Sequence, residues 1–352
     1  MKLLQVILPA GIGGAENIAC MLHNSMNRRG NESRIAISSS YAEEFLKYFS
    51  IDEKQILLID DDSWYKIVKS VRKIIRQYNP EIIHTHARRE CVLVALLNRN
   101  AKHIRTQHMS EQPNIKVTIL EKILLSFRVN CWVATSKTLV TSYFQRLNYI
   151  NINKVRIIYN GVEDQSDRFS YISCNTINKF CVVARLTRQK GIDILLDKLS
   201  QLDNNILMSI RIDIYGEGPE LGNIIEQIER LKLNKVVFYM GEIVNPRAIF
   251  KNYSALLMPS RYEGLPLTML EAMSCGLPVA THEVGCCKEF IETNENGWII
   301  NDEFTWNHFF RYLVCNPEKL QNISNCAREM YLKNFSSTIM CKNYEELYIN
   351  QL

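Results

Sequence analysis

Short apolar runs alternate with longer amphipathic stretches along almost the whole chain, and nothing else in the sequence limits its fold as much. In the first half the runs are Leu3–Leu8, Arg34–Ser38, Gln55–Ile59, Glu81–His84, His103–Thr106, Cys131–Ala134 and Val155–Ile158. Each suits a strand and is too short for an ordinary helix. The stretches between them read as helices, for example Trp64–Tyr78 and Arg88–Asn98. In Trp64–Tyr78, Ile67, Val71, Ile74 and Ile75 fall on one face. This βαβα order predicts a mostly parallel sheet with helices on both faces.

Polar residues take over from Glu163 to Asn178, which reads as a linker over 164–178. The pattern then restarts, with strands expected at Phe180–Ala184, Ile210–Tyr215, Val236–Tyr239, Ala255–Met258 and Pro278–Thr281. Helices are expected at Ile192–Leu202, Leu221–Leu231 and Pro266–Ser274. After Asn301 the sequence reads as helix. The expectation is two α/β domains in tandem, residues 1–163 and 179–335, facing a cleft. No short-period repeat interrupts the pattern.

Composition narrows the class. The 352 residues are 47% apolar and 22% charged, close to the globular average. A disordered tail, a collagen-like chain and a small disulfide scaffold are excluded. No uncharged apolar run reaches the roughly 18 residues of a membrane span. Leu3–Ala10 lacks a cleavage-site pattern, so no signal peptide is read and the cytoplasm is the expected compartment. The 11 cysteines contain no Cys-x-x-Cys and sit mostly in apolar runs, as buried free thiols do. Residues 1–163 carry a net charge of +9 and residues 164–352 a net charge of −4. The basic half is therefore expected to meet an anion. No nucleic-acid-binding signature accompanies it, and an anionic lipid surface fits equally well.

Several loops carry candidate chemistry. Pro9–Glu16 is a glycine-rich turn between a strand and a helix, where backbone N–H groups can approach an anion. It departs from a dinucleotide fingerprint at Glu16, and the next strand ends in Ser38-Ser-Ser40 rather than an acid. His84 and His86 lie two apart at a strand end and can be co-facial. A metal pair lacks further ligands at a telling spacing. The strand tip favours His86 over His84 as the functional residue, with His108 second. Arg185 and Lys190 bracket the loop after the first strand of the second domain, a place for cations that clamp a diphosphate; Arg188 reads as solvated. Gly216 and Gly218 read as turn residues. In Pro259–Val279, Glu263 precedes a helix and Glu271 lies about two turns inside it. At 1.5 Å per residue that is roughly 12 Å of rise, so the two carboxylates suit opposite ends of one extended ligand. The helix start near Gly264–Leu267 offers N–H groups to a phosphate.

Taken in order, these pieces resemble the retaining glycosyltransferases of family 4, which have the GT-B fold. The matching residues are Gly13-Gly14-Ala15-Glu16, His84-Thr-His86, Ala134-Thr-Ser136 and Ile158-Tyr-Asn-Gly-Val162. They continue with Ala184-Arg-Leu and Lys190-Gly191, Gly216-Glu-Gly-Pro219, and Glu263-x7-Glu271 followed by Ala272 and Gly276-Leu-Pro-Val279. The resemblance covers nearly all of the chain. It implies two Rossmann-like domains, with the last helix, residues 336–352, returning to the first.

The resemblance also implies roles. Arg185 and Lys190 would hold the diphosphate of a nucleotide-sugar donor, and Glu271 its ribose. Glu263 and the backbone of Gly264, Leu265 and Pro266 would face the donor sugar and phosphates. Gly13 and Gly14 would approach the donor, His86 would sit near its sugar, and Ile243 falls in the base-contacting loop. No metal or other cofactor is expected, because the two cations stabilise the leaving group. The implied reaction moves a hexose or N-acetylhexosamine from a UDP- or GDP-sugar, with retention, to a lipid-linked bacterial surface glycan. That glycan would be an O-antigen, a capsule or a lipopolysaccharide core. The alternatives are a sugar-nucleotide epimerase, a phosphorylase, or a non-catalytic relative that binds sugar nucleotides. Peripheral contact with the anionic inner membrane is a further expectation. In Asn114–Arg128, Ile115, Ile119, Ile123 and Phe127 share a face, with Lys116, Lys122 and Arg128 elsewhere. We read this as a core-facing helix, with an interfacial helix as the alternative.

Overall fold

Thirteen strands among the described residues form two separate, fully parallel sheets. The structure is a computed structural model. It describes residues 1–8, 13–49, 51–109, 118–147, 149–164, 178–243 and 245–352. The expected linker falls almost wholly outside these, as do the start of the first glycine-rich turn and residues 114–117. The chain divides into two units, Met1–Gly161 with Ser337–Leu352, and Val162–Ser336.

In the first unit the strands are β1 (Lys2–Ile7), β2 (Glu32–Ser38), β3 (Ile56–Ile59), β4 (Ile82–Thr85), β5 (Lys102–Gln107), β6 (Cys131–Ala134) and β7 (Val155–Ile157). Their order is β3-β2-β1-β4-β5-β6-β7. The central strand β1 is buried on both faces because helices cover both. Leu4 and Val6 of β1 pack with Ile67 and Val71 on one side, whereas Ile7 packs with Ala19, Cys20 and Phe45 on the other. The helix Trp64–Tyr78 starts where Ser63 Oγ accepts the Lys66 N–H at 3.3 Å. It stops at Asn79, whose left-handed backbone cannot continue a helix.

The terminal helix, Ser337–Ile349, is part of this unit. Tyr348 OH lies 2.7 Å from His84 Nδ1, Tyr344 OH lies 2.8 Å from Thr106 Oγ1, and Arg29 pairs with Glu345. Tyr344, Tyr348 and Met340 are fully buried there.

The second unit contains β8 (Lys179–Val183), β9 (Arg211–Tyr215), β10 (Val237–Tyr239), β11 (Ala255–Met258), β12 (Val279–His282) and β13 (Gly297–Ile300), ordered β10-β9-β8-β11-β12-β13. Phe180, Val182, Ile212, Leu257, Trp298 and Phe309 form its core. Strand β13 was not expected from the sequence. Its four residues are wedged after the polar stretch Thr293–Asn296 and show no alternation. The long helical reading after Asn301 resolves into three helices, Trp306–Cys315, Leu320–Asn334 and Ser337–Ile349.

In each unit the strand order reverses once, between β1 and β4 and between β8 and β11. Ligands of open α/β sheets bind outside the carboxyl ends of the strands at such reversals.

One expectation is overturned. The helix in the Asn114–Arg128 stretch runs from Ile119 to Arg128, and its shared apolar face is turned outward. Ile119 is 77%, Ile123 52% and Phe127 78% exposed, and Leu120 joins them at 72%. At 3.6 residues per turn these four occupy an arc of roughly 100°. Leu125, on the opposite side, fills the core instead. Thr118 and Glu121 form a capping box that sets the start.

Candidate functional site

The β8/β11 reversal assembles the densest set of candidate residues. Lys190 ends a short 3-10 turn after β8, and Glu263 lies in the loop after β11. Lys190 Nζ meets Glu263 Oε1 at 2.6 Å, and Ser260 Oγ donates to the same oxygen at 2.7 Å. The Glu263 side chain is only 6% exposed, while that of Lys190 is 23% exposed. An ammonium has three N–H donors; the two left over at Lys190 can serve an anion. Arg185, between β8 and that turn, is exposed.

The loops are clamped by backbone fit. A Cβ on Gly191 would lie 2.0 Å from the Pro259 carbonyl oxygen, and one on Gly285 would lie 2.4 Å from that of Glu263. Both glycines have left-handed φ, so no other residue takes their place without strain. Arg261 adds a two-pronged contact to Asp193, with Nη1–Oδ1 at 2.7 Å and Nη2–Oδ2 at 2.6 Å, and bonds the Arg188 carbonyl. His282 Nε2 accepts from Trp306 Nε1 at 3.0 Å, which leaves Nδ1–H to donate to the Ser260 carbonyl at 3.3 Å. Burial lowers the His282 pKa and keeps this neutral form. Arg261, Asp193 and His282 escape sequence reasoning because each acts through a tertiary partner. The loop after β9 braces the Arg185 segment by Leu186 N–H to Glu217 O at 2.7 Å and Glu220 N–H to Leu186 O at 3.0 Å. This is the structural role read for Gly216 and Gly218.

The helix Leu267–Ser274 follows Gly264, Leu265 and Pro266, and no side chain caps its start. Its first N–H groups therefore have no side-chain cap and can serve an anion. Glu271 lies in its second turn and is half-buried. Burial pushes its pKa up, and the nearby Arg247 guanidinium opposes that shift. Among the described residues the Glu271 carboxylate has no hydrogen-bond donor. Arg247 was not singled out from the sequence. Its Nη1 donates to the Glu163 carbonyl at 3.1 Å, and its Nε is buried without a partner. Ile243 is half-buried. Cys286 and Cys287, adjacent in the next loop, are held as thiols by burial.

In the first unit, the β1/β4 reversal carries a buried polar cluster. His84 is enclosed and bonded through both ring nitrogens, to Tyr348 OH and to Thr106 Oγ1 at 2.8 Å, which makes it a packing residue. His86 Nε2 bonds Gln5 Oε1 at 2.8 Å, and its Nδ1 faces His108 Nε2 at 3.1 Å. With Gln5 Oε1 accepting, His86 carries its proton on Nε2, and His108 donates to His86 Nδ1. Glu90 Oε1 accepts the N–H of His86 at 3.1 Å and of Ala87 at 2.6 Å, fixing the loop. Burial holds all of these histidines neutral, with Arg105 adding repulsion at His86, His103 and His108. Among the described residues no three metal-ligating side chains converge. Gly13 precedes the helix Gly14–Arg28 as its N-cap, and Gly14 opens that helix.

In the second unit a lysine–glutamate pair and an uncapped helix start thus share the carboxyl side of a doubly wound sheet, at its reversal. The sequence profile of Glycosyltransferase Family 4 matches residues 12–166, and that of Glycosyl transferases group 1 matches residues 164–330. The protein belongs to the family 4 glycosyltransferases of the GT-B fold. It is 28% identical over 220 residues to the GtfA subunit of a UDP-N-acetylglucosamine–peptide N-acetylglucosaminyltransferase from Streptococcus agalactiae, covering 60% of this chain and 39% of that one. It is also 28% identical over 206 residues to the O-antigen biosynthesis glycosyltransferase WclY of Escherichia coli, covering 56% of each. The matches thus span about two fifths to just over half of these relatives. Anabaena HepE in complex with UDP superposes with a TM-score of 0.80 at 18% identity, covering all of both chains.

Proposed function

We propose that this glycosyltransferase moves a hexose or N-acetylhexosamine from a UDP- or GDP-sugar to a lipid-linked surface glycan, with retention of configuration and without a metal. The arrangement of Lys190, Glu263 and Glu271 around the uncapped start of helix Leu267–Ser274 carries this reading. The UDP bound by HepE and the O-antigen role in the name of WclY support it.

In this reading Arg185 and the free donors of Lys190 neutralise the departing diphosphate. The N–H groups after Gly264, Leu265 and Pro266 take a phosphate oxygen. Glu271, ionised, accepts hydrogen bonds from the ribose hydroxyls, and Ile243 lies in the base loop. Glu263 orients Lys190 and faces the sugar. Gly13 and Gly14 are assigned to the donor sugar, and His86, bonded at both ring nitrogens to Gln5 and His108, is assigned to positioning the loop after β4. The bond from the anomeric carbon to the diphosphate breaks while the bond to the acceptor oxygen forms on the same face. The acceptor proton passes to a phosphate oxygen of the leaving group. Retaining glycosidases use two carboxylates about 5 Å apart, a pairing that the spacing of Glu263 and Glu271 does not suit.

No described helix is long and apolar enough to cross a membrane. The exposed row of Ile119, Leu120, Ile123 and Phe127, in a half of the chain with a net charge of +9, supports peripheral contact with the cytoplasmic face of an anionic inner membrane.

A donor panel of UDP-, GDP- and ADP-sugars, read by thermal shift and slow donor hydrolysis in EDTA, tests the proposal. One nucleotide sugar is expected to stabilise the protein, and Arg185→Ala and Glu271→Ala to abolish the shift. Donor turnover that needs a divalent ion, or an inverted product by NMR, overturns the corresponding part.

A further inference from the structure

The first unit has a basic concavity at the opposite end of its sheet from His86. Asn79 and Pro80 lead into the amino end of β4, and Asn98–Ala101 lead into the amino end of β5. Between them lies a cavity of about 400 Å³ lined by Arg72, Arg76 and Arg99 with Ile75, Leu96 and Leu97. At about 3.3 Å per residue, Pro80 and His86 are separated by roughly 20 Å of strand.

The charge here is unbalanced. No acidic residue lines the cavity. None of the three arginines is in an ion pair or hydrogen bond with a described residue. Glu81, the nearest acid along the chain, is committed elsewhere, accepting from the Lys2 N–H at 2.6 Å and facing the amino group of Met1. Arg72 and Arg76 are four apart on one helix, a like-charge spacing that costs a few tenths of a kcal/mol. The helix end accounts for one cation, because basic residues in a last turn complement the dipole. It does not account for three that share a cavity. Asn98 closes the loop beneath them, bonding Ala101 through both side-chain atoms at 2.7 and 3.0 Å. Ile75, Leu96 and Leu97 line part of the concavity, but most of its surface is polar, and Arg72, Arg76 and Arg99 are all exposed at its mouth.

We propose that this cavity is a binding site for a phosphate-bearing anion, separate from the sugar-transfer site. Guanidinium groups bind phosphate with paired N–H donors, and the mostly polar lining suits the phosphate itself. Its volume is in the range of small-molecule sites. Such a ligand is either a soluble phosphate compound or the headgroup of an anionic lipid.

The test uses the full chain carrying Arg185→Ala and Lys190→Ala, so that the proposed donor site does not contribute. Pyrophosphate is titrated by calorimetry at physiological salt, before and after adding Arg72→Gln, Arg76→Gln and Arg99→Gln. In parallel, the proteins are floated with phosphatidylglycerol vesicles in an Ile119→Ser, Phe127→Ser background. The proposal expects at least a tenfold loss in one arm. Loss of pyrophosphate binding identifies a soluble ligand, and loss of flotation alone a lipid headgroup. If the glutamine variants change neither arm while circular dichroism shows an intact fold, the site does not exist. Because the donor site is already disabled, failure of the donor assignment leaves this result unaffected.

Discussion

Lys190 Nζ and Glu263 Oε1 sit 2.6 Å apart, although 73 residues separate them in the chain. The pair welds the loop after β8 to the loop after β11 across the reversal of the sheet. Removing the lysine leaves a nearly buried carboxylate held only by Ser260. Lys190→Ala is therefore expected to cost about 1–3 kcal/mol of stability and 10²–10³-fold in transfer. Lys190→Ala with Glu263→Gln should recover most of the stability and none of the activity. Chemical denaturation and donor turnover measure the two separately; recovered activity in the double variant would show that Lys190 only balances Glu263.

Glu271 is expected to impose an acid limit on donor binding. Its carboxylate must be ionised to accept hydroxyl hydrogen bonds, and burial raises its pKa from the ordinary value. Donor affinity should then fall as pH drops through that raised value. Arg247 works against the rise, so Arg247→Met should move the loss to higher pH. Donor dissociation constants from pH 5 to 8 decide this, and superimposable profiles would remove Arg247 from the site.

The histidine cluster makes the first unit acid-sensitive. His103 and His108 are pushed down to about 3 and about 4, and His84 and His86 also lie well below the ordinary value. Below pH 6.5 the unfolded chain binds protons that the folded one refuses, so stability falls on acidification. Glu90, raised to about 7, acts in the opposite sense. Between the ordinary carboxylate range and pH 7 the folded chain holds a proton there that the unfolded chain releases, so this contribution weakens the fold as pH rises. Glu90→Gln keeps an acceptor for the His86 and Ala87 N–H groups and removes the opposition. Its stability difference between pH 5 and 7.5 should exceed that of the wild type. Equal differences in urea melts would contradict the assignment.

At Gly285 an alanine must push its Cβ against the Glu263 carbonyl in a left-handed conformation. Gly285→Ala is expected to cost about 1–3 kcal/mol and to displace the Glu263 loop, lowering turnover more than donor-independent folding. Gly222→Ala, where nothing lies within 4 Å of the added carbon, is the control. Equal thermal shifts in the two variants would refute the clamp.

The outward row on helix Ile119–Arg128 should carry membrane contact without supporting the core. Ile119→Ser with Phe127→Ser removes two side chains that are 77% and 78% exposed. Burial of each in lipid is worth about 1.5–3 kcal/mol, so flotation with phosphatidylglycerol vesicles should drop more than tenfold at an unchanged melting temperature. Undiminished flotation ends the role of this helix.

The strands of both sheets were legible because parallel strands buried on two faces are near-continuous apolar runs. β13 was not, since a glycine opens it and only Trp298–Ile300 stand as an apolar run between the polar stretches on either side. The Ile119–Arg128 face shows the limit of periodicity, which reports that a helix has an apolar side but not which way it turns. Here Leu125 and the partly buried Leu124 serve the core, leaving the fuller stripe outside. At the site, Lys190, Glu263 and Glu271 were readable as residue types in loops at strand ends, because local spacing governs those. The Lys190–Glu263 bond, the His282 prop and Arg247 depend on partners far away in the chain, and no local pattern marks them.

The helix Ser337–Ile349 gives the chain an order of completion. A nascent polypeptide that has already made β1 to β7 still lacks Tyr344 and Tyr348, the partners of Thr106 and His84. Until Ser337–Leu352 emerges, those polar groups have no protein partner on that side. The first unit therefore finishes folding only after the whole second unit has been synthesised, and shortening the chain at its end damages the domain at its beginning.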